Sequence, residues 1–92
     1  PSDGRAEARR VAAERRRGRE PLRRQALQTE AEILRLTGER DALDRALARP
    51  QPQGSDTISD ALKRRAELVR RIEKAEAEWL AVCEALEQEP GR

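Results

Sequence analysis

From Leu22 onward the chain places its apolar and small residues at alternating steps of four and three. Leu22, Ala26, Thr29, Ile33, Leu36, Arg40, Leu43 and Leu47 form this series, with charged residues filling most of the positions between them. A 4,3 alternation keeps one face of a helix apolar, the spacing of a coiled-coil seam. The pattern stops at Pro50-Gln-Pro-Gln-Gly54, where two prolines and a glycine cannot continue a helix. It resumes with Ile58, Ala61, Arg65, Leu68, Ile72, Ala75, Trp79, Val82 and Leu86, while Leu62, Val69 and Cys83 widen the stripe. Thr57-x-x-Asp60 fits a loose capping box, and Asp56 and Asp60 suit the positive end of a helix dipole, so the second arm should start near Ser55–Thr57. Pro90-Gly91 should end it.

Two long arms about a breaker predict an all-α fold, an antiparallel two-helix coiled-coil hairpin with a basic N-terminal helical extension. The expected layout is an extension or linker over residues 1–20 and a hairpin over 21–88, with arms 21–49 and 56–88 joined by a turn at 50–55. Gly18 and Pro21 interrupt the helical pattern, and a helix can begin near Arg19–Pro21 because proline suits a first turn. Folding the arms antiparallel pairs residues whose numbers sum to about 105. Leu47 then meets Ile58, Leu43 meets Leu62, Leu36 meets Val69, Ile33 meets Ile72, and Leu22 meets Val82 or Cys83. Trp79 falls opposite Ala26 as the seam anchor, with Leu86 closing the far end. One layer conflicts: Arg40 meets Arg65. Two guanidiniums cannot be buried together, so both should turn outward, toward Asp41 or Asp44.

Composition limits what such a chain can be. Apolar residues make up 36% of its 92 residues, but 15 of these are alanine and 17 are large. That fills a two-helix seam and no multilayer core. The absence of an initiator Met suggests a fragment or a trimmed product. No apolar run approaches the roughly 20 residues of a membrane span. The single Cys83 makes no internal disulfide, which fits a reducing cytoplasm. With no His and one Cys there is no ordinary zinc site. Cys83 has no His or Lys beside it to activate it and reads as a structural thiol. The carboxylates of the second arm read as a solvated face, and no cofactor is expected in these residues.

Charge is distributed unevenly along the chain. From Arg5 to Arg24 nine Arg face three Glu, a net of +6, whereas residues 25–92 carry a net of −3. The near-neutral total of +2 hides a polarised molecule. The pairing leaves residues 5–17 beyond the end of the second arm, so the unpaired part of the helix is the basic part. Arg9, Arg10, Arg15, Arg16, Arg17, Arg19, Arg23 and Arg24 are therefore the candidate nucleic-acid-binding set, able to neutralise phosphates and release counterions. Lys63, Arg64, Arg70, Arg71 and Lys74 form a second basic face, read as ordinary surface laced with i,i+4 pairs such as Glu67–Arg71. No aromatic residues interleave with the arginines, so contact should be to backbone and shape rather than to unstacked bases.

Taken in order, Arg19-Glu-Pro-Leu-Arg-Arg24, Glu30-Ala-Glu-Ile-Leu-Arg-Leu36, Ala42–Leu47, a Pro-rich turn, Lys63-Arg-Arg-Ala-Glu-Leu68, Glu76-Ala-Glu-Trp-Leu80 and Glu84-Ala-Leu86 resemble the C-terminal extension of ABC-F proteins. These are ATP-binding-cassette ATPases with tandem nucleotide domains and no membrane domain. The resemblance covers roughly residues 9–88. It implies a cytoplasmic helical hairpin tail behind two ATPase domains in a protein that works on ribosomes and translation, and in some relatives the corresponding tail binds DNA. The partners it implies are DNA or ribosomal RNA, the ribosome and the chain's own ATPase domains, with ATP and Mg held elsewhere in the parent chain. These residues contain no Gly-x-x-x-x-Gly-Lys-Ser/Thr, so the expectation is a non-catalytic module. The rival expectation is a purely structural coiled coil that docks on its own ATPase core or self-associates.

Overall fold

The computed structural model describes residues 2–50 and 56–88. Two helices, α1 (Ser2–Leu47) and α2 (Asp56–Gln88), pack against each other as an antiparallel hairpin with no strand among the described residues. The molecule is a rod of 82 × 15 × 14 Å. The expected fold class is the one observed. The residues of the Pro-rich turn after Pro50 and the Pro90-Gly91 stop lie outside the described residues.

α1 ends before Pro50 for a local reason. The amide of Ala48 still donates to the Asp44 carbonyl at 3.0 Å, but Arg49 donates to Ala46 at 3.2 Å, so the last turn tightens from an i−4 to an i−3 bond. Arg45 in that turn and Asp3 in the first turn both complement the helix dipole. α2 begins at Asp56, within the expected Ser55–Thr57.

The structure corrects the break expected near Arg19–Pro21. α1 runs without interruption through Gly18 and Pro21. Proline inside a helix leaves the carbonyl four residues back, that of Arg17, without its bond. The helix continues because a turn already nucleated on the paired side propagates at little further cost through Ala, Arg and Glu.

The register follows the predicted pairing. Glu39 receives Arg64, Glu32 receives Arg71, Asp44 receives Arg65 and Glu30 receives Trp79, pairs whose numbers sum to between 103 and 109. The core lies at mid-hairpin, where Leu36 (0% exposed), Leu68 and Ile72 cluster and Leu43 packs on them. Ala75 and Val82 extend the buried line along α2. On α1 the buried seam position Thr29 satisfies its hydroxyl by donating to the Gln25 carbonyl at 2.7 Å. Leu22, Ala26, Ile33, Leu47, Ile58, Val69, Trp79, Cys83 and Leu86 are half-buried.

Two seam expectations need correction. Leu62 is 54% exposed and stands outside the interface, and Leu43 packs instead on the cluster that contains Leu68. Leu36 shares its layer with Leu68 and Ile72, so the residue turned inward is Leu68 while Val69 flanks it. Trp79 is half-buried, and its indole N–H donates to Glu30 Oε1 on α1 at 3.0 Å, so it bridges the helices with its polar edge as well as its ring. The arginine conflict resolves outward as expected. Arg65 holds Asp44 through Nε at 2.5 Å and a second nitrogen at 3.4 Å, while Arg40 turns to its neighbour Asp41.

Candidate nucleic-acid interface

The basic surface owes its form to the unequal lengths of the two helices. At about 1.5 Å per residue, 46 residues of α1 span about 69 Å and 33 residues of α2 about 50 Å. In the observed register Gln88 lies level with the region of Arg15–Pro21, so the first four turns of α1 have no helix beside them. Residues 3–10 and 14–18 are exposed, and Val11, Ala12 and Ala13 are half-buried by their own long neighbours. No metal-binding cluster of His, Cys, Asp or Glu occurs among the described residues, and no helix there is long and apolar enough to cross a membrane.

The eight candidate arginines do not form one set. Arg10 is held between Glu7 and Glu14, and the hydrogen bonds it donates to these carboxylates, Glu7 first, raise its pKa further. Arg23 lies 3.7 Å from Glu20. Arg19 departs from expectation. It is half-buried, with its Nε enclosed and without a hydrogen-bond partner among the described residues. Arg19 stands seven residues before Ala26, which makes it the end of the seam rather than free surface. Arg9, Arg15, Arg16, Arg17 and Arg24 remain, all exposed and with no ion pair among the described residues.

The arrangement of these side chains follows a repeat that the apolar pattern does not display. Arginine pairs recur every seven residues, at Arg9-Arg10, Arg16-Arg17 and Arg23-Arg24. Seven residues are nearly two helical turns. Each member of the pair therefore forms its own row, with steps of about 10.5 Å along the helix and the two rows about 100° apart. Ala6, Ala13 and Glu20 form the row between them, so the separating strip is low at its N-terminal end and carries a carboxylate at Glu20.

The second basic face is divided by the hairpin itself. Arg64 donates to Glu39 at 3.1 Å and Arg71 reaches Glu32 at 3.5 Å, both across the interface. Arg71 thus pairs with α1 rather than with the expected Glu67. Lys63, Arg70 and Lys74 are exposed and without an ion pair among the described residues. On α1, Glu32 is also held by Arg35, whose hydrogen bond is the main cause of its lowered pKa, with Arg71 adding to it. Asp44 is lowered chiefly by its hydrogen bond from Arg65 and further by Arg40. Of these pairs, Arg64–Glu39, Arg71–Glu32 and Arg65–Asp44 join the helices, and Arg35–Glu32 lies within α1.

Compared with known proteins, the chain matches no family, no curated sequence and no solved structure.

Proposed function

We propose that this chain is a non-catalytic helical hairpin that binds the phosphate backbone of structured nucleic acid through the overhang of α1. The observation that carries the reading is the set Arg9, Arg15, Arg16, Arg17 and Arg24, five exposed cations without a carboxylate partner among the described residues, four of them at or beyond the level where α2 ends. A hairpin needs no such surface for its own stability. The resemblance to the ABC-F C-terminal extension supports the same reading and adds a role, that of a tail holding a cytoplasmic ATPase on ribosomal RNA or DNA.

The test is fluorescence anisotropy with labelled duplex DNA, branched DNA and an rRNA hairpin over a range of salt. Binding should be largely independent of sequence and should weaken steeply as salt rises. Changing Arg15, Arg16 and Arg17 together to Gln keeps helix propensity near that of Arg. On duplex DNA it should flatten the salt slope by about 0.9 for each lost contact. Absence of binding to all three probes at low salt overturns the reading. Equal binding by the triple variant with an unchanged slope also overturns it for the overhang and transfers it to Lys63, Arg70 and Lys74.

A further inference from the structure

The seam facing α2 is not the only heptad stripe on α1. Leu27 (66% exposed) and Leu34 (75% exposed) lie on the side of α1 away from α2, with exposed Ala31 and Gly38 completing a 4,3,4 series. Nothing approaches within 4 Å of a Cβ placed on Gly38. The series continues at both ends with charge, as Glu20 and Arg24 before it and Asp41 and Arg45 after it. A helix in a two-helix hairpin has no internal use for a second seam.

We infer that this stripe docks a second copy of the same chain, α1 against α1, antiparallel about a two-fold axis between Glu32 and Ile33. The stripe is complementary to itself. In that register Leu27 of one copy meets Gly38 of the other, and Leu34 meets Ala31. Every leucine therefore faces a residue small enough to receive it, as knobs-into-holes packing requires. The flanks agree, because Arg24 meets Asp41 and Glu20 meets Arg45, opposite charges at each end. A two-fold interface repeats each pairing twice. The parallel, in-register alternative sets Glu20, Arg24, Asp41 and Arg45 each beside its own like charge and leaves Gly38 facing Gly38, so charge and shape both select the antiparallel form. Leu62 and Leu80 on α2, also exposed, have no comparable partner pattern.

The dimer is a row of four helices, with the two α1 helices in the middle. Each N-terminal overhang projects past the end of the other copy's α1, one at each end of the particle. Arg24 is drawn into the interface, and Arg9, Arg15, Arg16 and Arg17 stay free. The inference stands without the nucleic-acid reading.

Sedimentation equilibrium on the 92-residue chain over a micromolar to millimolar series tests it. The wild type should show a monomer–dimer equilibrium. Leu34→Glu, on a 75%-exposed side chain, should keep the helical circular dichroism of the monomer and raise the dissociation constant by about 100-fold or more, since a carboxylate would be buried against alanine. Arg24→Asp should weaken the dimer, and adding Asp41→Arg should restore it, which reports the antiparallel register directly. With Cys83→Ser, the pair Leu27→Cys and Gly38→Cys should oxidise to a covalent dimer. A wild type monomeric to millimolar concentration overturns the inference. So does a dimer indifferent to Leu34→Glu, which assigns association to Leu62 and Leu80, and so does a charge swap that fails to restore binding.

Discussion

The two halves of α1 are one continuous helix held by different forces. Residues 19–47 are helical because α2 covers them. Leu36 is fully buried, Thr29 nearly so, and four side-chain contacts from Glu30, Glu32, Glu39 and Asp44 cross to α2. Residues 2–18 have none of this. Their helix rests on the propensity of Ala, Arg and Glu, on the local bridge of Arg10 to Glu7 and Glu14, and on continuity with the paired half. The lesson is that a helix can be exported from a hairpin as a rod of free charge, provided the hairpin bears the cost of nucleation. Between the halves lie Gly18 and Pro21, both unfavourable to helix.

The sharpest way to break the comparison is to remove its packed half. Leu36→Ala should cost about 2–5 kcal/mol, because the side chain is fully buried in a single layer with Leu68 and Ile72 and little else can close over the gap. In a two-helix molecule that approaches total stability. Circular dichroism should show most helix lost at 25 °C, the overhang included, since its nucleus is gone. Retention of the overhang signal after the hairpin melts would show that residues 2–18 are helical on their own. Trp79→Ala should do less than Leu36→Ala, since the ring is only half-buried.

The junction offers the next effect. Pro21→Ala returns an amide hydrogen to the Arg17 carbonyl and removes a penalty of about 3 kcal/mol for proline in a helix interior. Amide exchange across residues 5–17 should slow by up to about 100-fold, with the melting of the paired half little changed. Unchanged exchange would mean that Pro21 does not limit the coupling between the halves.

How legible this was in the sequence differs by half as well. The hairpin, its register and the outward turn of Arg40 and Arg65 follow from the 4,3 spacing, because burial against one partner leaves a strict period. At Leu62 the pattern misleads, because two adjacent apolar residues, Ala61 and Leu62, compete for one seam position, and spacing alone does not say which faces inward. The charge of Arg19 suggests solvent, although its place seven before Ala26 puts it on the seam. The continuity through Gly18 and Pro21 was hidden because local propensity argues against it and only propagation from the packed side overrides it. The paired arginine repeat and the outer stripe were written in the same heptads. Neither shows when periodicity is sought only among residues that α2 covers.

A smaller change sharpens the account of the packed half. Arg65→Leu places an apolar residue on the seam and gives up a half-exposed pair with Asp44, of a kind that contributes little in water. A rise of a few degrees in melting temperature is expected, and a fall would show that the pair contributes more than the apolar side chain replacing it.

The smallest effect is expected from acid, and its location discriminates between the halves. Glu32 has its pKa lowered chiefly by the hydrogen bond from Arg35, and Asp44 by that from Arg65. Both belong to the packed half. A carboxyl whose folded pKa lies below its unfolded value binds fewer protons folded than unfolded, so acid favours the unfolded chain. The stability these two contribute is fully present above the ordinary carboxylate range near pH 4 and is lost as pH falls through their lower folded values. Melting temperature should therefore be flat from about pH 7 to 5 and decline gently below 4. Raising salt at neutral pH should reproduce part of the decline, because the pairs are exposed and screened. Arg65→Leu removes the chief cause acting on Asp44, so its acid decline should be shallower than that of the wild type. A melting temperature that stays level to pH 2 would show that the cross-hairpin charges set the register of the two helices without adding to their stability.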